Sequence, residues 1–398
     1  MPPLYTRPFW LAFFVHLTGS ISLAMVMLLP LLVRHVGGSE LTIGLVLGGG
    51  AAASVAARPF VGRLLDRVGR RRVLVACGAL NAVSWLPFIL VDRVGPLLFA
   101  AALFHAVVWG ALFAAYFTYA ADLIPESRRA EGIAVFGVAG MAGNGIGPVV
   151  GELVIDEAGY AAYCLVAAAF AVLSLVLTLG VRPDSPVTAA GAPRTTRGMR
   201  EVASEPGLAR VLAASFLLGV AINAAFFFVA PFTRELGMAR AGTFFGSYSL
   251  ATVSVRVLGR RTLDTLGAHA VSIPAFVLYA VGLTTLVLLP APGVLVASGI
   301  CCGLAHGALF PVLNALAITR ASVESRGTAI SLQTAVLDLG GVVGTPLCGA
   351  IAEIAGYRLM FVTMAVATAC GVGVMATDPA GPRRRPRPAP LAPPGRAG

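Results

Sequence analysis

Four ionisable side chains inside long apolar stretches are the strongest candidates for chemistry in this chain. They are His16, His105, Glu152 and Asp338. Lipid solvates charge poorly, so an ionisable group at membrane depth is expected to serve a function, and its most direct chemistry is the exchange of a proton. The structural alternative is a hydrogen bond to a polar neighbour or, for Glu152, exposure to water at the end of its segment. We take all four as candidates for proton coupling, with Asp338 first.

Polar and aromatic side chains in the same stretches are candidates for lining a substrate cavity. They are Trp109, Tyr116, Asn144, Asn223, Phe227, Asn314 and Gln333. For each of them, a hydrogen bond or packing contact between helices is at least as good an explanation. The chain contains no nucleotide-binding motif, no metal-ligand spacing and no pairing of a nucleophile with a base. The sequence therefore predicts that the protein is not an enzyme and holds neither a metal nor a cofactor.

The composition around these residues is that of an integral membrane protein. Of the 398 residues, 58% are hydrophobic and only 12% are charged, and the mean hydropathy is +0.87. A soluble domain carries about 25% charged residues. So few charges could not cover so apolar a core in water, and the elements that position the candidate residues must lie in lipid.

Apolar runs of membrane length account for most of the chain. They lie near residues 9–33, 42–61, 73–91, 96–121, 131–155, 160–181, 208–232, 241–258, 270–289, 293–318, 328–352 and 357–376. Each of the twelve runs is expected to be a helix, because a backbone in lipid must satisfy its polar groups within the segment. The lengths exclude barrel strands of about 10 residues.

The longest polar connection divides the chain nearly in half. We predict a six-helix bundle at 1–181, a cytoplasmic linker at 182–207, a second six-helix bundle at 208–376 and a disordered Pro- and Arg-rich tail at 377–398. Short matches recur between the halves at an offset of 197 or 198 residues. They include Arg58 with Arg256, Asp66 with Asp264, Gly69 with Gly267, and Gly159 with Gly356. Because six helices separate the copies, the halves share one orientation and are related by an axis along the membrane normal.

The distribution of arginine predicts the orientation in the membrane. All 29 basic residues are arginine, and 24 of them fall on the side that carries both termini. The other side holds Arg34, Arg93, Arg234, Arg240 and Arg358. Positive charge accumulates on the cytoplasmic side, so both termini are expected in the cytoplasm of a multi-pass protein of the cell inner membrane. The net charge of +11 therefore reflects topology and contact with lipid, and no nucleic-acid partner is expected.

The densest charge block, residues 62–72, lies between the second and third runs and carries five arginines and one aspartate. Its spacing resembles the signature of the major facilitator superfamily between helices two and three, and the resemblance extends over essentially the whole chain. The matching residues are Gly62, Asp66, Arg67, Gly69, Arg70 and Arg71. The fifth run resembles the antiporter motif of the drug–proton branch of that family. Its matching residues are Gly143, Gly147, Pro148 and Gly151.

The resemblance implies a conformational switch in the loop motif. Asp66 is expected at the start of helix eleven, where free N–H groups favour an anion, and Arg70 is expected to pair with Asp122. Gly62 and Gly69 permit a tight turn and close backbone approach. In family members such contacts hold the two halves in the outward-facing state. The alternative is that these arginines only fix the topology.

The antiporter motif is expected to form a tight interface between the two bundles, because glycines four residues apart let another helix approach closely and Pro148 bends the helix. A gate that limits proton leak is compatible with such an interface. The sequence departs from the branch in two places. Glu152 follows Gly151 where a glycine is usual, and His105 stands near the position of an arginine in helix four. A coupling role borrowed from that arginine does not carry over to this chain.

These features together predict a monomeric secondary transporter that exchanges protons for a small amphipathic organic compound, such as a drug or secondary metabolite, and exports it by alternating access. One alternative is an importer of a sugar or metabolite on the same fold. A second, from a different class, is a membrane sensor that moves nothing, against which the two motifs argue. Efflux from inside-out vesicles, set against uptake by whole cells, separates the first two.

Overall fold

The computed structural model describes residues 4–181, 199–205, 207–238, 241–259 and 266–377, and every regular element in these ranges is helical. The predicted tail beyond residue 377, most of the predicted linker and Asp264 lie outside the described residues. Within the linker, a short helix covers Met199–Ala203.

Nine helices of the described residues are long and apolar enough to cross a membrane. Two of these, Arg129–Leu179 and Arg326–Ala376, each contain two segments, and Ala241–Leu258 adds one more. The segments are α1 (Arg7–His35), α2 (Glu40–Val68), α3 (Arg70–Ile89), α4 (Pro96–Leu123), α5 (129–158), α6 (160–179), α7 (Leu208–Glu235), α8 (Ala241–Leu258), α9 (Ala268–Leu288), α10 (Pro292–Arg320), α11 (326–355) and α12 (357–376). Counted in this way, the segments match the twelve apolar runs.

Two glycines divide the longest helices. Gly159, between α5 and α6, has φ 79°, and Gly356, between α11 and α12, has φ 79° as well. A side chain would strain the backbone at this φ, which explains why glycine stands at both repeat positions. The same holds for Gly69, with φ 96° between α2 and α3, and for its repeat partner Gly267, with φ 83°. The sequence repeat is therefore a repeat of backbone geometry.

The chain connections define two faces of the molecule. We call the face that carries the α2–α3 turn at Gly69 the arginine-rich face, and the face that carries Gly159 and Gly356 the opposite face. Within the halves, α1 packs on α5 and α7 packs on α11. Between the halves, α2 packs on α11 and α5 packs on α8, so the two seams are repeats of each other.

Large apolar side chains point away from the helix packing around the outside. Ile354 is 86% exposed, Leu258 79% and Leu90 72%. A soluble protein rarely leaves so many such groups in water, whereas lipid covers them at no cost. The all-helical fold of two repeated halves and the membrane location are thus as the sequence predicts.

Candidate functional site

An ion pair between Arg58 and Asp338 joins the two halves across the α2–α11 seam. Arg58 Nη2 donates to Asp338 Oδ2, and the two side chains are 31% and 23% exposed. The apolar run that ends near residue 61 suggests that Arg58 stands at the end of a helix. The structure corrects this, because α2 continues to Val68, ten residues beyond Arg58. The leading proton-coupling candidate therefore contacts a cation of the other half.

Glu152 is buried at the end of the α5–α8 seam near the opposite face. Its side chain is a cap for α8, since Oε1 accepts from Ala241 N–H at 2.9 Å and Oε2 from Gly242 N–H at 2.7 Å. Arg234 Nη2 lies 3.9 Å from Oε1. Glu152 is only 6% exposed, so the alternative of a carboxylate that merely faces water does not describe it. A carboxylate at a helix N-terminus satisfies free N–H groups and opposes the positive end of the helix dipole.

Glu353 makes the corresponding contact at the other seam. Its Oε2 accepts from the N–H of Leu41, in the first turn of α2, at 2.8 Å. A carboxylate of α11 thus caps α2, as one of α5 caps α8. Each cap joins one half to the other near the opposite face, so both seams are closed there.

Two arginines strengthen this closure. Arg34 at the end of α1 pairs with Glu40, and its Nη1 also lies 3.4 Å from Tyr357 Oη of the second half. Arg234 at the end of α7 pairs with Asp156 of the first half. Each arginine lies in the last turn of the first helix of its half, so the two halves place a cation at corresponding helix ends.

The loop motif is partly visible in the structure. Arg70 donates to Asp122 Oδ2, as the resemblance implies. Arg71 donates to the carbonyls of Leu179 and Val181, both at 3.0 Å, and so caps the end of α6. The side chain of Asp66 lies outside the described part of the structure, and its contact with helix α11 stays a prediction. Gly62 and Arg67 are both exposed.

The antiporter-motif glycines pack directly on α1. A Cβ on Gly143 would lie 2.5 Å from Ser20 Cβ, and a Cβ on Gly147 would lie 2.6 Å from the Ile21 carbonyl oxygen. A Cβ on Gly151 would lie 2.9 Å from Leu28 Cδ1 of α1 and 3.2 Å from Tyr163 Cε2 of α6. Pro148 lies inside α5 between these contacts. The motif therefore forms a tight interface within the first half, and this corrects the predicted interface between the two bundles.

We expect Gly147→Ala to lower the apparent Tm of the purified protein. The added methyl group meets backbone rather than a mobile side chain, and overpacking of this kind costs about 1–3 kcal/mol. Gly49→Ala is the matched control, because a Cβ there meets nothing within 4 Å and alanine favours a helix. Equal Tm values for the two variants would contradict the close packing of α1 and α5.

The buried histidines all make interior hydrogen bonds through Nδ1. His16 Nδ1 lies 3.2 Å from the Phe136 carbonyl oxygen, and His105 Nδ1 lies 2.8 Å from Ser84 Oγ. His306 Nδ1 lies 2.6 Å from Tyr248 Oη. These contacts favour the structural alternative for His16 and His105, while their coupling role stays untested.

The cavity candidates fall into two groups. Tyr116 and Gln333 are buried within their own halves, where Tyr116 Oη lies 3.2 Å from Ser174 Oγ and Gln333 Nε2 lies 3.1 Å from Ser215 Oγ. The half-buried candidates are Trp109, Asn144, Asn223, Phe227 and Asn314. Asn223 donates to the Gly219 carbonyl oxygen at 2.8 Å. No group of three His, Cys, Asp or Glu among the described residues is placed to hold a metal ion.

Comparison with known proteins gives the class. A sequence model of the Major Facilitator Superfamily matches residues 9–271 and again 233–397. The chain therefore belongs to the major facilitator superfamily, and it is a multi-pass membrane transporter by family.

Individual relatives are distant but nearly full in length. An uncharacterized MFS-type transporter of Burkholderia mallei (strain SAVP1) is 27% identical over 376 residues, which cover 91% of this chain and 88% of the relative. The staphylopine export protein of Staphylococcus aureus (strain Mu50 / ATCC 700699) is 23% identical over 356 residues, which cover 84% and 86%.

Two solved structures share the fold. The human organic anion transporter MFSD10 (TETRAN) superposes with TM-score 0.71 at 18% identity, covering 94% of this chain and 100% of that one. A POT family transporter in complex with a thioalcohol-conjugated peptide superposes with TM-score 0.77 at 14% identity, covering 93% and 95%. At these identities the likeness concerns the fold alone.

Proposed function

We propose that this protein is a proton-coupled exporter of a small amphipathic organic compound. The observation that carries the proposal is the ion pair of Arg58 with Asp338, which places an ionisable carboxylate on a seam that must change when the two halves rock. Proton binding to Asp338 removes its charge and weakens the pair. Proton binding thus favours the state in which α2 and α11 separate at that depth.

Two further observations favour export over import. The antiporter-motif glycines 143, 147 and 151 are used for tight packing of α5 on α1, as a motif of exporters would be. The staphylopine export protein, whose name states its direction, is a relative over most of both chains. We do not infer that this protein carries the same substrate.

The arginine-rich face is cytoplasmic in this proposal, as are both termini. The halves 1–181 and 208–376 move as two bodies joined by the linker at 182–207, the tail 377–398 lies in the cytoplasm, and the protein acts as a monomer. The caps made by Glu152 and Glu353 then close the outer side. This is the arrangement an exporter needs while it loads its compound from the cytoplasm.

The test uses inside-out membrane vesicles from cells that overproduce the protein. A panel of fluorescent amphipathic compounds is supplied outside, and accumulation is followed before and after a proton gradient is imposed. We expect uphill accumulation that collapses when a protonophore is added. Uptake of the same panel by whole cells, with no accumulation in inside-out vesicles, would instead support the importer.

A further inference from the structure

Arg256 is the repeat counterpart of Arg58 and lies on α8 at the other seam. The two positions are 198 residues apart. Its Nη1 lies 3.4 Å from where a Cβ of Gly137 would stand on α5, so its guanidinium reaches across from the second half to the first. Gly137 is eight residues into α5, about 12 Å from the start of that helix. Arg256 itself lies in the last turn of α8, and its guanidinium is therefore a cation on a seam between the halves, inside the arginine-rich end of α5.

The surroundings of the two arginines differ in charge. Arg58 meets Asp338, whereas the residue that the 198-residue offset places opposite Arg256 is Gly140. None of the ion pairs among the described residues involves Arg256, and its Nε is buried without a hydrogen-bond partner. Both halves therefore carry the arginine, but only the α2–α11 seam has a carboxylate opposite it.

The groups that face Arg256 do not replace the missing anion. On α10, the Phe310 ring centroid lies 5.8 Å from the guanidinium carbon. Tyr248 and His306 are near enough to interact electrostatically, but neither is negative at neutral pH. On α5, Gly137 presents only backbone. The Arg256 side chain is half-buried and its Nε is fully buried, so the lack of a counter-charge is costly there. The planar set of donors of a guanidinium matches an oxyanion.

We propose that Arg256 binds an anionic group, a carboxylate or a phosphate, on the compound that the protein carries. The Phe310 ring then offers an apolar surface beside the charge, which suits an amphipathic organic anion. The inference rests on the proposed transport function only in identifying the ligand as cargo. Binding here would join α5 to α8, and it would therefore affect the seam between the halves that must change during transport.

The test measures ligand-induced change in the apparent Tm of the full-length protein in detergent micelles. Naphthoate, cinnamate and phenyl phosphate are each set against the neutral naphthamide, cinnamamide and phenol. We expect the anions to stabilise the wild type more than their neutral partners. Arg256→Gln should weaken the anion effect about 10- to 100-fold in apparent affinity, the usual loss when a charged hydrogen bond is removed.

Three controls make the outcome decisive. Arg93→Gln removes the same charge from an exposed loop and should bind as the wild type does. Arg256→Lys should retain part of the affinity, and it replaces the glutamine variant if that one does not fold. Arg256→Gln without ligand should have a Tm at or above the wild-type value, since an unpaired charge is removed, whereas a purely structural arginine would leave a less stable protein.

The inference is overturned if the anions stabilise no better than their neutral partners, or if Arg256→Gln leaves their effect unchanged. It is also overturned if only added phosphatidylglycerol stabilises the protein through Arg256, because the anion would then be a lipid. The measurement needs no gradient. Anion binding without proton-driven efflux would contradict the proposed function alone, and proton-driven efflux of neutral compounds alone would contradict this inference alone.

Discussion

Asp338→Asn is expected to abolish proton-driven uphill transport while downhill movement of the same compound continues. Asparagine keeps the size of the side chain but neither carries nor releases a proton, so the pair with Arg58 no longer responds to pH. Loss of a partner from a fully buried pair costs about 3–5 kcal/mol, and less here because Arg58 and Asp338 are 31% and 23% exposed. A loss of about 1.4 kcal/mol would shift the balance of states tenfold.

The measurement is accumulation of a compound in proteoliposomes with and without an imposed proton gradient. Asp92→Asn, in the exposed α3–α4 loop, is the control for loss of a carboxylate and should accumulate like the wild type. The double variant Arg58→Gln/Asp338→Asn removes both charges. It should regain wild-type stability without regaining coupling. Gradient-driven accumulation by Asp338→Asn at the wild-type level would remove Asp338 from the mechanism.

Gly349→Ala is expected to block transport by preventing closure of the opposite face. A Cβ on Gly349 would lie 2.4 Å from the Glu40 carbonyl oxygen and 3.1 Å from Gly44 Cα, so α11 could not approach α2 without moving backbone. In the proposed mechanism this contact forms only while the opposite face is closed. The overpacking cost of about 1–3 kcal/mol therefore falls on one state and shifts the equilibrium roughly 5- to 150-fold towards the other.

Hydrogen–deuterium exchange of the purified protein checks this effect on the seam. Peptides around residues 40–48 and 342–352 should exchange faster in Gly349→Ala than in the wild type, while the yield of folded protein stays similar. Gly373→Ala on α12 is the control, because a Cβ there meets nothing within 4 Å. Unchanged exchange at the seam together with normal transport would show that the helices do not meet as closely as described.

The fold could be predicted from sequence because lipid leaves so few choices. Apolar length predicts the segments, and the repeat predicts that turns at Gly69 and Gly267 are alike, as their positive φ values confirm. The meeting of Arg70 with Asp122 also followed from the motif. In each case the prediction used a local sequence pattern or a residue spacing that the whole family shares.

The contacts between the halves could not be predicted, because they depend on which helices adjoin. Arg58 and Asp338 are 280 residues apart, and only the packing of α2 on α11 brings them to one depth. The caps Glu152 and Glu353 escaped the repeat comparison because they lie 201 residues apart. That spacing differs from the repeat by about one helical turn, so the two carboxylates share a face and not an aligned position.

The central claim is that the protonation state of Asp338 sets the balance between the two states of the transporter. Hydrogen–deuterium exchange of the α2–α11 seam tests it directly, measured from pH 5 to pH 9 and corrected for the intrinsic exchange rate. The account predicts that seam exchange in the wild type changes with pH, while Asp338→Asn shows one pH-independent level equal to that of the wild type at low pH. A seam that responds to pH equally in both proteins would contradict it.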